Sequence, residues 1–154
     1  MNRKSPQLIN IHDYPLVEEE MALSLAKAWH AEFLPNHKKW LDKKPRGSFR
    51  WEQVLCHSDK EDAQKDFESH FARTYFIMPE DFGKDNFIMY KTDEKPQINA
   101  FEQLIDCYIF PKNLAWSMNF THESGWIGPY FSKHSNYEKL NKKNMESINA
   151  RRYQ

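Results

Sequence analysis

The chain has 154 residues, of which 40% are hydrophobic and 15% aromatic, enough to form the core of one ordinary domain. Basic and acidic side chains balance at 22 each, without the positive excess typical of nucleic-acid-binding domains. No apolar run reaches the roughly 20 residues of a membrane span, and the basic N-terminus lacks the apolar stretch of a secretory signal. Since Cys56 and Cys107 are isolated, we expect reduced thiols in a cytoplasmic protein that does not contact a membrane.

The N-terminal part of the chain predicts a short strand at 8–11 and then an amphipathic helix. Asp13 is expected to cap this helix, with Pro15 in its first turn and acidic residues near its positive end. Pro35 is expected to end it. An apolar residue recurs at every fourth position of the helix, at Val17, Met21, Leu25, Trp29 and Phe33.

The middle of the chain predicts a second helix followed by β-strands. Residues 49–55 form a short helical turn or strand. Ser58 with Glu61 three residues later is a capping-box signature, and the helix that follows has Ala63, Phe67 and Phe71 on one face. The segments at 74–78 and 86–90 are rich in β-forming residues and are expected to pair, and Pro96 is expected to open a short helix through 105.

The C-terminal part predicts strands at 106–110, 114–120 and 126–131, then a weak helix at 137–150. The last two strands are expected to pair antiparallel. Pro129 cannot donate to a sheet, so the 126–131 strand should be an edge strand or bulge there.

Side chains along the 114–120 strand alternate between apolar and polar. Trp116, Met118 and Phe120 are therefore expected in the core. Ser117 and Asn119 should point away from it, where substitutions would be mild.

Helices followed by strands indicate an α+β fold. We expect a single domain over 1–154, with the N-terminal helices on one face of an antiparallel or mixed sheet built mainly by the C-terminal half. Residues 1–6 and 151–154 are expected to be flexible tails.

The candidate site is the polar triplet Thr121-His122-Glu123 at the tip of the predicted hairpin. Two interpretations stay open. His122 could act as a general acid or base oriented by Glu123, if a turn brings the two together. Alternatively, His122 caps the aromatic row of the strand, and the triplet stabilises the turn through local hydrogen bonds.

Metal and thiol chemistry have weaker signals. The chain has no HExxH motif, no paired CxxC and no dinucleotide-binding glycine loop. Cys56 and His57 could meet His122, Glu123 or His134 across space, or Cys56 could be a nucleophile with His57 as its base. We expect neither a metal nor a cofactor.

A basic and aromatic segment at 38–51 offers a third kind of site. Lys38 and Lys39 precede a tryptophan, and Arg46 and Arg50 flank a phenylalanine before Trp51. Phosphate contacts and base stacking use this combination, so nucleic-acid binding is an alternative.

Several motifs of the chain occur together in one known pattern, among them Phe49-Arg50-Trp51, Thr121-His122-Glu123 and Gly128-Pro129-Tyr130-Phe131. They resemble the motifs of a bacterial family, domain of unknown function 4275. The resemblance implies a single-domain cytoplasmic protein of this size and no particular activity. Glu52 and Ile127 stand where the family pattern has His and Cys, and these departures weaken the expectation of any metal or thiol site that the family carries. The residues that carry it are Phe49-Arg50-Trp51, Cys56, Asp62-Ala63, Phe67, Tyr108-Ile109-Phe110, Trp116, Thr121-His122-Glu123 and Gly128-Pro129-Tyr130-Phe131.

The sequence favours a non-catalytic protein-binding module, by analogy with bacterial immunity proteins, and its partner would be another protein. A small hydrolase using His122 with Glu123, or Cys56 with His57, is the alternative. Nucleic-acid binding is a further one. The candidate binding residues are Trp116, Thr121, His122, Glu123, Trp126, Tyr130, Trp51, Lys38, Lys39, Arg46 and Arg50.

Overall fold

One antiparallel sheet of six strands organises the computed structural model, which describes residues 11–35, 40, 48–83, 85–96, 106–123 and 127–152. Three α-helices lie in these ranges, none of them long and apolar enough to cross a bilayer. The helices are α1 (Glu19–Phe33), α2 (Lys60–Ser69) and α3 (Tyr137–Arg152). The strands are β1 (Ser58–Asp59), β2 (Tyr75–Pro79), β3 (Tyr90–Thr92), β4 (Cys107–Pro111), β5 (Trp116–Phe120) and β6 (Tyr130–Lys133).

The strand order is β1-β6-β5-β4-β2-β3, which confirms an α+β domain with a mostly C-terminal antiparallel sheet. β5 and β6 pair antiparallel as expected, with Met118 opposite Phe131. The edge position predicted for the last strand is wrong, because β6 lies between β1 and β5. Pro129 precedes β6, and its carbonyl accepts a hydrogen bond from the Lys60 N–H at 2.8 Å.

Both faces of the sheet are buried, not one face as predicted. Helix α1 covers one face and α2 the other, so β2 and β4 send alternate side chains into two separate apolar layers. The α1 layer includes Trp29, Phe33, Phe76, Met78, Tyr108 and Phe110. The α2 layer includes Phe67, Tyr75, Ile77, Ile109, Trp116, Met118, Phe120 and Phe131.

The polar side chains of β5 are the clearest consequence of this second layer. Ser117 and Asn119 do point away from Trp116, but they are fully buried under α1 and do not lie outside the core as predicted. The Trp29 Nε1–H donates to Ser117 Oγ at 2.9 Å, and Ser117 Oγ–H donates to Asn119 Oδ1 at 2.7 Å. Asn119 Nδ2 then donates to Ser132 Oγ at 2.9 Å, and Ser132 donates to the Leu55 carbonyl. The chain of bonds satisfies four buried polar side chains.

The start of α1 differs from the prediction because the preceding residues pair with the sheet. The Val17 N–H donates to the Met89 carbonyl at 2.9 Å, and the Lys91 N–H donates to the Pro15 carbonyl at 3.0 Å. These bonds hold residues 15–17 extended, so the helix begins at Glu19. Residue 11, expected in a strand, lies in the 3-10 turn Ile11–Asp13, and residues 8–10 lie outside the described residues.

The second helix also begins without its predicted cap. Ser58 lies in β1 and donates to the Asp66 carboxylate, and the N-cap residue Asp59 makes no side-chain capping bond. Phe71 falls beyond the end of α2. The next two strands pair as expected, although the second begins only at Tyr90. The helix predicted through 105 falls on 97–105, outside the described residues.

Candidate functional site

The site centres on the Asp106 carboxylate at the end of the β4–β5 hairpin. Cys107 pairs with Phe120, so Asp106 lies just before β4 and close to His122, which follows β5. Asp106 Oδ1 accepts hydrogen bonds from the His122 backbone N–H at 2.8 Å and from His122 Nδ1–H at 2.9 Å. It also accepts the Trp51 Nε1–H at 2.9 Å. Asp106 therefore joins the hairpin to the turn at 50–52.

Two aromatic rings complete what we call the His122 cluster: Phe49, Trp51, Asp106, His122 and Glu123. The Phe49 and Trp51 rings stack with centroids 5.4 Å apart. The His122 imidazole lies 5.1 Å from the Phe49 ring and 6.0 Å from the Trp51 ring. The cluster thus presents a fixed imidazole against an aromatic pair, beside an acidic side chain.

The charge of His122 follows from its two carboxylate neighbours. Its Nδ1 bonds Asp106, and its Nε2 lies 3.7 Å from Glu123 Oε1. The hydrogen bond to Asp106 is the main cause that raises the pKa of His122 above its ordinary value, and the charges of Asp106 and Glu123 act in the same direction. The side chains of His122 and Glu123 are 41% and 47% exposed. The two carboxylates therefore stabilise the protonated imidazole relative to that of an isolated histidine, at a site open to solvent.

The backbone of the hairpin is held by Thr121 and Gly128. Thr121 is buried; its Oγ1–H donates to the Ile127 carbonyl at 2.5 Å and its Oγ1 accepts the Glu123 N–H at 3.2 Å. Gly128 has a φ of +73°, and a Cβ there would lie 3.0 Å from Thr121 Cγ2. The position therefore favours glycine both for its backbone angle and for lack of space.

The other predicted binding residues near the hairpin are less accessible. Trp116 is fully buried and Trp51 is 8% exposed, so neither ring offers a face to a partner. Tyr130 is half-buried in β6, and Trp126 lies outside the described residues. The structure thus brings His122 and Glu123 together at the surface, with Phe49 half-buried beside them.

Arg50 is fully buried, so it cannot serve as the predicted phosphate contact. Its Nη1 lies 2.6 Å from Glu80 Oε2, its Nη2 donates to the Phe82 carbonyl at 2.5 Å, and its Nε–H donates to His30 Nε2 at 2.8 Å. Tyr108 Oη–H donates to Glu80 Oε1 at 3.0 Å. Lys38, Lys39 and Arg46 lie outside the described residues.

Neither cysteine is activated. Cys56 is exposed and donates to the Ser58 carbonyl, and partial burial together with the Asp59 charge raises the pKa of its thiol. Burial raises the pKa of Cys107 further. His134, a candidate partner for Cys56, instead lies 3.3 Å from Glu32. Across the described ranges, no group of three or more His, Cys, Asp or Glu side chains is arranged to hold a metal.

Sequence reasoning missed Asp106 and Phe49 as members of the site. A signal for Asp106 was present, since a tight turn at 111–113 places the start of the 106–110 strand beside the end of the 114–120 strand. Trp51 reaches Asp106 across 55 residues of sequence, and no local pattern indicates that contact.

Residues 18–131 match the family described as Domain of unknown function (DUF4275). The matched range contains the whole His122 cluster. No curated protein and no solved structure matched the chain.

Proposed function

The chain belongs to the DUF4275 family, and we propose that it is a non-catalytic protein-binding module that docks a partner protein through the His122 cluster. One observation carries the proposal. Both ring nitrogens of His122 face carboxylates, yet the His122 and Glu123 side chains remain exposed at the surface. The imidazole is held in place and is also available for contact.

A hydrolase fits this geometry less well. A general base works best when its pKa lies near the working pH and its free nitrogen faces the substrate. Nδ1 of His122 is bonded to Asp106, and Glu123 occupies the side of Nε2 from which a substrate would have to approach. The Cys56 thiol has a raised pKa, which makes it a poor nucleophile at neutral pH.

A docking role uses the same features directly. Asp106 already immobilises His122 and Trp51, so little side-chain entropy is lost when a partner binds. Aromatic rings beside charged groups are common at the centre of protein interfaces. Glu123 would pair with a cationic side chain of the partner.

By analogy with bacterial immunity proteins, we propose that the partner is a protein whose active site this surface covers. The exposed free thiol of Cys56 fits a reducing compartment, so we propose a cytoplasmic location. Nucleic acid is a poorer partner, because Arg50 is buried and the exposed charges of Glu52 and Glu123 would repel phosphates.

The experiment compares His122→Ala with His57→Ala, a change of an exposed histidine outside the cluster. Both proteins and the wild type are assayed on nitrophenyl esters, nitrophenyl phosphate and a peptide library. We expect no turnover that depends on His122. We also expect His122→Ala to lower the free energy of unfolding by about 1 kcal/mol, because Asp106 loses one of its two side-chain donors and keeps Trp51.

Binding is tested with the immobilised full chain and extract from the host. Glu123→Lys combined with Phe49→Ala should release at least one protein that the wild type and His57→Ala both retain, with micromolar affinity after purification. A folded His122→Ala protein that had lost a measurable turnover would refute the non-catalytic role.

A further inference from the structure

A second surface lies where the chain before α1 separates from the chain before β3. Leu16 pairs with Tyr90 as an isolated antiparallel bridge, and the bond from Val17 N–H to the Met89 carbonyl closes the pairing. Beyond that bond, an open groove of about 630 Å³ separates the two segments. We call it the Leu16 groove. Its lining includes Leu16, Val17, Glu19, Asp85, Phe87 and Ile88.

The walls of the Leu16 groove are apolar and exposed. Leu16 is 62% exposed on one side and Ile88 46% exposed on the other, although large aliphatic side chains are usually covered. Phe87 is half-buried between the groove and the α1 layer. The groove therefore offers apolar contacts that solvent does not satisfy.

The rim of the groove is acidic. Glu19 and Asp85 line it from opposite sides, and neither carboxylate has an ion pair among the described residues. Glu18 and Glu20, which flank Glu19 in the chain, are also exposed. In the described part of the lining no basic side chain accompanies these carboxylates.

The backbone of Leu16 adds a directional feature. The Pro15 carbonyl and the Val17 N–H both form hydrogen bonds to the chain at β3. The N–H and carbonyl of Leu16, which lies between them, therefore point away from β3. Both groups therefore face away from the groove, so a segment lying in the groove would be bound through its side chains.

From the apolar walls and the acidic rim we propose that the Leu16 groove binds an extended segment of a partner protein in which apolar residues alternate with lysine or arginine. The apolar side chains would contact Leu16 and Ile88, and the basic ones would pair with Glu19 and Asp85. The proposal goes beyond the function proposed for the His122 cluster and does not depend on it, because the two surfaces share no residue.

The probe is a fluorescein-labelled peptide of six alternating lysines and leucines, titrated with the full chain by fluorescence anisotropy. We expect saturable binding that weakens as salt rises from about 0.05 to 0.5 M, because the rim charges are exposed. The same peptide with glutamate in place of lysine should not bind.

Charge reversal tests the rim. Glu19→Lys with Asp85→Lys should weaken probe binding at least tenfold, roughly the loss expected for reversed rim charges. The matched control is Glu61→Lys with Asp62→Lys, which changes the net charge by the same amount at another exposed acidic site. Equal loss in both double variants would show non-specific attraction and overturn the proposal.

The apolar walls are tested with Leu16→Ser plus Ile88→Ser, against Leu55→Ser at an equally exposed position outside the groove. Only the groove variant should lose binding, with an unchanged circular dichroism spectrum. His122→Ala should bind the probe as the wild type does. A failure of the groove proposal is therefore distinguishable from a failure of the function proposed for the His122 cluster. A wild-type dimer that Leu16→Ser converts to monomer would assign the groove to a second copy and refute a basic partner segment.

Discussion

Replacing Arg50 with Met tests whether the buried ion pair holds the two halves of the chain together. The guanidinium joins the turn at 50–52 to Glu80 at the end of β2 and to His30 on α1. Because the His30 Nδ1 faces the Ala26 carbonyl, His30 Nε2 is left as the acceptor for Arg50. In Arg50→Met the side chain still fills space, but Glu80 loses its ion pair with the Arg50 guanidinium.

The expected loss is about 3–5 kcal/mol, the usual result of removing one partner of a buried ion pair. Arg50 is fully buried and Glu80 nearly so, which places this pair in that class. A domain of this size has a free energy of unfolding of about 5–15 kcal/mol, so the variant would lose about a fifth of it or more. With an m-value of about 2 kcal/mol per molar urea, the midpoint should fall by roughly 1.5–2.5 M.

Urea denaturation followed by tryptophan fluorescence measures the shift. Arg73→Met, at an exposed arginine, is the matched control and should stay within about 0.5 kcal/mol of the wild type. Arg50→Met combined with Glu80→Leu should recover part of the loss, since no uncompensated charge remains. If Arg50→Met alone unfolds at the wild-type midpoint, the account of this buried pair is wrong.

Three further changes test the core and its pH dependence. Asn119→Ala should lower the free energy of unfolding by about 2 kcal/mol, because it removes the acceptor of the Ser117 hydroxyl and a buried side chain. A change of less than about 0.5 kcal/mol in urea denaturation would contradict this. Trp116→Ala should lower it by about 3–5 kcal/mol, seen as a lower thermal midpoint, because the ring is fully buried. Burial lowers the pKa of His70, whose neutral ring accepts a hydrogen bond from the Tyr137 hydroxyl. The contribution of His70 to the free energy of unfolding is therefore full above about pH 6.5, and it is lost as the pH falls through the lowered pKa. In parallel thermal melts, the midpoint of His70→Gln should therefore fall less than that of the wild type as the pH is lowered from 6.5. Identical pH profiles of the two proteins would contradict this account.

The elements with strong local periodicity could be predicted from the sequence. The apolar repeat through Trp29 and Phe33 predicted α1, and the aromatic and β-branched segments predicted β2, β4 and β5. Turn residues at 111–113 predicted the β4–β5 hairpin. These signals succeed because each depends on residues that are neighbours in the chain.

The start of α1 shows how tertiary contacts override a local signal. Asp13 and Pro15 favour a helix start, but Pro15 and Val17 instead bond to β3, about 75 residues later in the chain. The sheet gains two backbone hydrogen bonds from this arrangement, and the helix gives up its first turn. Local propensity carries no information about that competition.

By itself, the sequence determined the α+β class, the three helices and most strands of the described chain, and the position of His122 after a strand. Only the tertiary structure decided which polar residues are buried and which partners they bond. Ser117 meets Trp29 across 88 residues, and Arg50 meets Glu80 across 30. From the sequence alone, a polar side chain is predicted to be exposed. It can be buried when a partner distant in the chain satisfies its hydrogen bonds, and only the folded chain brings that partner close.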